Sequence, residues 1–340
     1  MNKKILLILI LLFITTGCTK RDNELNVLNW SSYIPDSIIN DFEKETGIKV
    51  NYGSYSSNEE LLAKISTSKS GTYDLIFPSD YMVELMIKRN LIDMIDRNKI
   101  PNIKNLNKNY MNLEYDKNND YSLPFLLAST VIIKNKEVIK DEINSYNDLL
   151  NIHYKDELIM LDDQRIVIGL GLLALGYDMN STNINELNEA REFILKLKEN
   201  IKLFDSDSPK NYLISKEVNL GVIWNAEAAL VIKNNPNMEV IFPDDGFAIS
   251  IDNFCIVKNA KNKENAYKFI NYILRGDIMA KIISEYPYKN VNKEAEKYLD
   301  EEYLQNKAAN IPDDIIKKGI FVKNIDEKIK LYDKTWASIK

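Results

Sequence analysis

The feature that most constrains this chain is a regular exchange of short apolar runs with amphipathic helical stretches, broken twice by longer extended segments. Residues 25–28 form a first apolar run. Pro35 then opens a helix over 36–46, with Ile38, Ile39 and Phe42 on one face and Gly47 as its stop. Residues 48–52 alternate as a second strand, and Ser57 with Glu60 forms a capping box ahead of Leu61, Leu62 and Ile65. A third strand over 73–77 and a helix over 81–90 follow. The exchange resumes with strands at 158–161, 218–223 and 238–242 and helices at 166–175, 185–199 and 228–234. Such alternation predicts parallel sheets covered by helices on both faces. Residues 121–133 and 247–257 are extended and apolar, and read as two crossings between lobes. Helices are expected at 263–274 and 278–285, and a mostly helical tail over 292–340. The expectation is an α/β chain of two discontinuous lobes, 25–128 with 251–288 and 129–250 with 289–340, hinged at the crossings around a ligand cleft. Gly169 and Gly171 resemble a phosphate loop only superficially, and helix packing is the expected reason for them.

The first 24 residues stand outside this pattern. Lys3 and Lys4 precede an unbroken apolar stretch, 5–14, too short for a stable span, and then Thr15, Thr16, Gly17 and Cys18. This looks like a bacterial lipoprotein leader: residues 1–17 a signal peptide, Cys18 the lipidated residue and 18–24 a tether. It predicts a protein outside the cytoplasmic membrane, anchored by its N-terminus. If Cys18 carries lipid, Cys255 is left alone and no intramolecular disulfide framework forms. His153 is the single His of the 340 residues, so a His-based metal site or a Ser-His-Asp triad would depend on one loop residue. No metal site and no cofactor are expected. The net charge of −6 disfavours nucleic acid and suits cationic partners.

In open α/β sheets, ligands bind where strands hand over to helices. The residues at those loops are Trp30, Tyr33, Ser79, Asp80 and Tyr81 from the first lobe and Asp163, Trp224 and Glu227 from the second. The second crossing adds Ser250 and Asp252, and the late turn adds Tyr286. The set is aromatics and carboxylates, with no basic residue among them. Rings packed on methylenes and facing a charge, together with carboxylates that accept from ammonium ends, suit a flexible alkyl cation. No credible nucleophile–base pair accompanies them, so a binding protein rather than an enzyme is expected.

Several stretches resemble the spermidine/putrescine-binding proteins of polyamine ABC transporters. They are Asn29-Trp30-Ser31-Ser32-Tyr33-Ile34-Pro35, Tyr73-Asp74-Leu75-Ile76-Phe77-Pro78-Ser79, Asp162-Asp163-Gln164-Arg165 and Asn219-Leu220-Gly221-Val222-Ile223-Trp224-Asn225. The resemblance implies a type II periplasmic-binding-protein fold and a monomeric receptor that delivers putrescine or spermidine to a membrane permease. It implies that Trp30, Tyr33, Trp224 and Tyr286 box the polyamine. Ser79 and Tyr81 would supply polar contacts, and Asp163 and Asp252 would bind the amines. Three positions depart from the spermidine pattern: Ile166 stands where a Glu is usual, Ser250 where a Trp is, and Val322 where a Gln is. Glu227 matches an acidic residue of the putrescine-preferring relatives, so a short diamine or an altered polyamine is expected.

Overall fold

The structure is a computed structural model that describes residues 23–340; the leader, Cys18 and most of the tether lie outside the described residues. The first lobe opens with β1 (Glu24–Trp30), α1 (Asp36–Thr46), β2 (Lys49–Tyr55), α2 (Asn58–Thr67), β3 (Leu75–Ile76) and α3 (Asp80–Lys88). Helix α1 ends as its sequence predicts: Gly47 takes φ 69°, and its N–H bonds the Glu43 carbonyl. Ser57 caps α2 by accepting from the Glu60 N–H, while the Glu60 carboxylate reaches back to the N–H of Ser56. β1 pairs in parallel with β2 and with β3, which puts the C-terminal ends of all three strands on one side.

After a run of 3-10 turns over 97–116 come β4 (Leu123–Asn135), β5 (Leu158–Met160), α4 (Gln164–Ala174), α5 (Ile184–Leu197) and β6 (Ile201–Phe204). Then follow α6 (Pro209–Ile214), β7 (Leu220–Trp224), α7 (Asn225–Asn234), β8 (Met238–Ile241) and β9 (Phe247–Ile256). Strands β5, β6 and β7 run parallel. The sheet order is β2-β1-β3-β9-β4-β7-β5-β6.

β4 and β9 are the two crossings, and every residue of both is buried. They pair antiparallel over 123–129 and 249–254. Beyond that stretch each enters different company: β4 pairs with β7 and β8 in the second lobe, and the far end of β9 pairs with β3 in the first. A strand buried on both faces has no need of polar alternation, which is why both crossings read as near-continuous apolar runs.

The C-terminal part departs from expectation in two ways. It holds α8 (Lys263–Ile273), α9 (Gly276–Glu285), β10 (Lys289–Asn290), α10 (Glu301–Gln305), α11 (Asp313–Ile316), β11 (Gly319–Phe321) and α12 (Ile329–Ile339). The tail is therefore not mostly helical: β10 adds to β4 and β11 adds in parallel to β9. Nor does the chain leave the first lobe at residue 289. The side-chain amide of Asn292 donates to the Leu274 carbonyl, and the Lys293 N–H bonds Asn105. This segment meets helix α7 of the second lobe at Glu302, which pairs with Lys233, at Asn306, which donates to Ala229, and at Ala308, which accepts from Asn225. Gly169 and Gly171 serve helix packing: an added Cβ would meet Met179 at 2.9 Å and the Ala190 carbonyl at 3.0 Å, respectively.

Gly276, the first residue of α9, gives a direct test of the C-terminal packing. A Cβ there would sit 2.8 Å from backbone atoms of Glu294. Gly→Ala in a helix ordinarily stabilises by up to about 1 kcal/mol. Here the sign reverses: Gly276→Ala destabilises by about 1–3 kcal/mol, read as a lower midpoint in thermal or urea unfolding.

Candidate functional site

A cavity of about 350 Å³ lies between the lobes, at the C-terminal ends of the strands. Its deepest anchor is Asp252, on crossing strand β9 and only 2% exposed. Two hydroxyls donate to this carboxylate, Tyr33 to Oδ2 and Ser79 to Oδ1, each at 2.7 Å. Both come from first-lobe loops. Tyr33 sits between β1 and α1. Ser79 occupies the position before α3 yet makes no capping bond with its side chain. Instead the Pro78-Ser79 loop lies along β9, forming a bridge at Ser79 and Asp252. Asn58, at the start of α2, holds Ser79 in turn: its Nδ2 donates to Ser79 Oγ at 3.1 Å, and its Oδ1 accepts from the Ser79 N–H at 3.2 Å.

Burial pushes the Asp252 carboxyl up from 3.8 to about 6, against the opposing pull of the Ser79 and Tyr33 hydrogen bonds. Two neutral donors thus compensate only part of the lost hydration, and a cation beside Asp252 would supply the rest.

Rings wall the cavity. Trp30 lies 4.7 Å from Tyr55, centroid to centroid, and its indole N–H donates to the Phe77 carbonyl, which also accepts from the Tyr55 hydroxyl. Tyr33 lies 4.7 Å from Tyr288. Trp224, at the end of β7, faces them from the second lobe, and Trp336 of α12 closes another wall. The chain has three Trp, and all three line this cavity.

A second acidic area lies between Asp163 and Glu59. Asp163 caps α4, one oxygen accepting from the N–H groups of Arg165 and Ile166. Burial raises its carboxyl pKa. Glu59 projects from the first turn of α2 and accepts from the Tyr81 hydroxyl at 3.2 Å. Burial and then the charge of Asp163 raise its pKa, so these carboxylates, one from each lobe, feel one another across the cleft. Glu227, in the first turn of α7, also lines the cavity, but both its oxygens lie 2.9 Å from Lys210 Nζ.

Of the residues expected from sequence, Trp30, Tyr33, Ser79, Tyr81, Asp163, Trp224, Glu227 and Asp252 all line the cavity. Tyr286 does not. It ends α9 half-buried, and Tyr288, two residues on, lines the cavity instead. Asp162, next to the capping Asp163, is exposed and pairs with Lys340 at 2.8 Å. Asp80 is buried behind the wall and accepts from its neighbour's N–H. The expectation of a lining without basic residues also fails. Arg165 lines the cavity, its guanidinium 4.8 Å from the Tyr332 ring and bonded to Asn180 and the Lys323 carbonyl. Even so, six carboxylates (Glu59, Asp162, Asp163, Asp207, Glu227 and Asp252) face one guanidinium. Ile166, Ser250 and Val322, the three departures from the spermidine pattern, all lie in the wall. His153 is exposed and Cys255 fully buried. Among the described residues no cluster of His, Cys, Asp or Glu could hold a metal, and no helix is long and apolar enough to cross a membrane.

Two α/β lobes joined by crossing strands around a cleft make a two-lobed periplasmic-binding-protein fold. The chain belongs to the bacterial extracellular solute-binding protein family, whose sequence profile matches residues 37–311. It is 37% identical to the spermidine/putrescine-binding periplasmic protein of Salmonella typhimurium over 321 residues, 94% of this chain and 92% of that one. It is 32% identical to the putrescine-binding periplasmic protein PotF of Escherichia coli, over 93% of this chain and 91% of that one. A solved structure, described as a putative spermidine/putrescine ABC transporter from Listeria monocytogenes, superposes with a TM-score of 0.89 at 33% identity. That match covers 93% of this chain and 98% of the other.

The raised pKa of Asp252 has a consequence for stability. Between pH 3.8 and about 6, the folded chain holds this proton more tightly than the unfolded one. Stability from this group is therefore full below that window and is lost as pH rises through it. By pH 7 the ionised carboxylate costs on the order of 3 kcal/mol. Asp252→Asn removes the charge while keeping partners for both hydroxyls. In calorimetric melting without ligand, the variant melts higher than the parent at pH 7.5, and the difference shrinks towards pH 4.

Proposed function

We propose that this protein is the substrate-binding component of a polyamine ABC importer. It closes on a short cationic amine and presents it to the membrane permease. The observation that carries this reading is the cavity itself: aromatic walls, six carboxylates against one guanidinium, and a deeply buried Asp252 whose hydrogen bonds leave its charge incompletely compensated. The relatives support it: the Salmonella protein is named for binding spermidine and putrescine, and PotF for binding putrescine.

In this reading one ammonium end of the ligand lies against Asp252, with Tyr33 and Ser79 fixing the carboxylate from the first lobe. The methylenes pack against Trp30 and Trp224, whose faces attract the charge. The other end lies between Glu59 and Asp163. Because these two carboxylates come from different lobes, an ammonium between them replaces repulsion by attraction and favours the closed arrangement. Ile166, Ser250 and Val322 offer no carboxylate, ring or amide to a third amine, which favours a short diamine. Tyr288 takes the place in the ring box first expected of Tyr286. In this reading no bond is made or broken, and the protein acts as a receptor rather than an enzyme, in keeping with its solute-binding family. Cys18 carries the lipid that tethers it outside the cytoplasmic membrane, and it works as a monomer.

The test is calorimetric titration of the ligand-stripped protein with putrescine, cadaverine and spermidine. Tight binding of at least one amine is expected. Asp252→Asn weakens it at least 100-fold, and Trp224→Ala about 10-fold, in line with ~1–2 kcal/mol for a desolvated cation–π contact. Absence of binding by a folded, stripped sample overturns the proposal. Affinity also depends on pH with a fixed sign. As pH falls through about 6, protons compete for Asp252, so binding weakens at pH 5 and is restored at pH 7.5.

A further inference from the structure

Two carboxylates of the cavity already hold an ammonium, Asp162 that of Lys340 and Glu227 that of Lys210, and Glu227 is the more buried of the two. Lys210, one residue into α6, places its Nζ 2.9 Å from both carboxylate oxygens. The pair is largely shielded from solvent, with side-chain exposures of 25% for Lys210 and 12% for Glu227. Water therefore screens it less than the exposed ion pairs at the surface. Lys210 itself does not line the cavity; it approaches Glu227 from behind. Glu227 is also close enough to Tyr288 for its charge to help hold that hydroxyl protonated. Tyr288 stacks on Tyr33, and Tyr33 binds Asp252. Glu227 and Asp252 thus flank the same ring pair, near one end of the cavity.

This arrangement bears on how many ammonium groups the site can accept. Asp252 serves one, and Glu59 with Asp163 serves a second. A third would turn to Glu227 and find it neutralised, with a lysine ammonium behind it that repels further positive charge. Building an unfavourable contact against the competing ligand is a direct route to selectivity.

We propose that Lys210 is a specificity-determining residue: by holding Glu227 in an internal ion pair it withholds that carboxylate from the ligand and restricts the site to amines with two charged groups. The inference rests on the polyamine reading above. Its competitor is that Glu227 binds the amine directly while Lys210 merely orients it.

The two differ in the sign of one substitution. The full chain in detergent, stripped of ligand, is titrated with putrescine and with spermidine. Variants Lys210→Met, Glu227→Gln and the double substitution are run alongside, with thermal melting as the check on folding. Lys210→Met is expected to raise spermidine affinity at least 10-fold while moving putrescine less than 3-fold. Adding Glu227→Gln is expected to erase that gain, so that the effect of Glu227→Gln depends on which residue stands at 210. Lys210→Gln, which keeps a hydrogen-bond donor for Glu227, gives a smaller rise of the same sign and serves if the Met variant folds poorly. A fall or no change in spermidine affinity on removing the lysine charge overturns the proposal, and so does a gain that survives in the double variant. Failure of the parent to bind any amine overturns the polyamine reading and this inference with it. Binding by the parent without the Lys210 effect overturns the inference alone.

Discussion

A carboxylate buried at the crossing of two lobes is the constraint around which the rest of this molecule is arranged. Asp252 sits on β9, the strand that passes from one sheet into the other, and its backbone is held by Leu126 of β4 on one side and by the bridge to Ser79 on the other. The groups that stabilise it come from elsewhere in the chain: Tyr33 from the loop after β1, Ser79 from the loop after β3, and Asn58 behind Ser79. Each of those loops lies where it does because the parallel strands beneath it end on the same side. Sheet order, helix capping and the charge of the cavity thus converge on a single side chain. Its discomfort in the unliganded state is what an arriving cation would relieve.

Much of this was legible from sequence, and for definite reasons. Helix α1 is bounded by Pro35 and a glycine in the left-handed region, and the observed helix has the expected limits. The two crossings announced themselves as long apolar runs because they are buried on both faces. The strand-to-helix loops named the first-lobe residues and Asp163, Trp224 and Glu227, since the end of a parallel strand is a geometric property that spacing reveals. Tyr286 and Tyr288 are a pair that only tertiary packing tells apart. The two flank Pro287 in one tight turn, closed by the Tyr288 N–H on the Tyr286 carbonyl, so local pattern nominates either, and the pairing of β10 with β4 puts Tyr288 inside.

The other omissions share a cause. Glu59 and Asn58 belong to a helix start whose Ser57 and Glu60 already explain a polar cluster, so nothing local marks them as cavity residues. Arg165 lies within an apolar helix, where a charge would be expected to face water; its burial depends on Tyr332 and Asn180, far along the chain. β11 is three residues long and exists through its pairing with β9. Lys210 and Glu227 are 17 residues apart on separate helices, with no spacing rule to join them. One signal was available: Trp336 is among only three tryptophans, and the other two were already placed at the cleft.

That distribution of tryptophan makes the molecule its own optical reporter. With Trp30, Trp224 and Trp336 all on the cavity wall, light absorbed at the red edge, where the 19 tyrosines contribute little, is absorbed only there. No indole elsewhere in the fold dilutes the emission. A change in polarity, hydration or charge inside the cleft therefore reaches every emitting group at once, and the occupancy of the cleft can be followed without attaching a label.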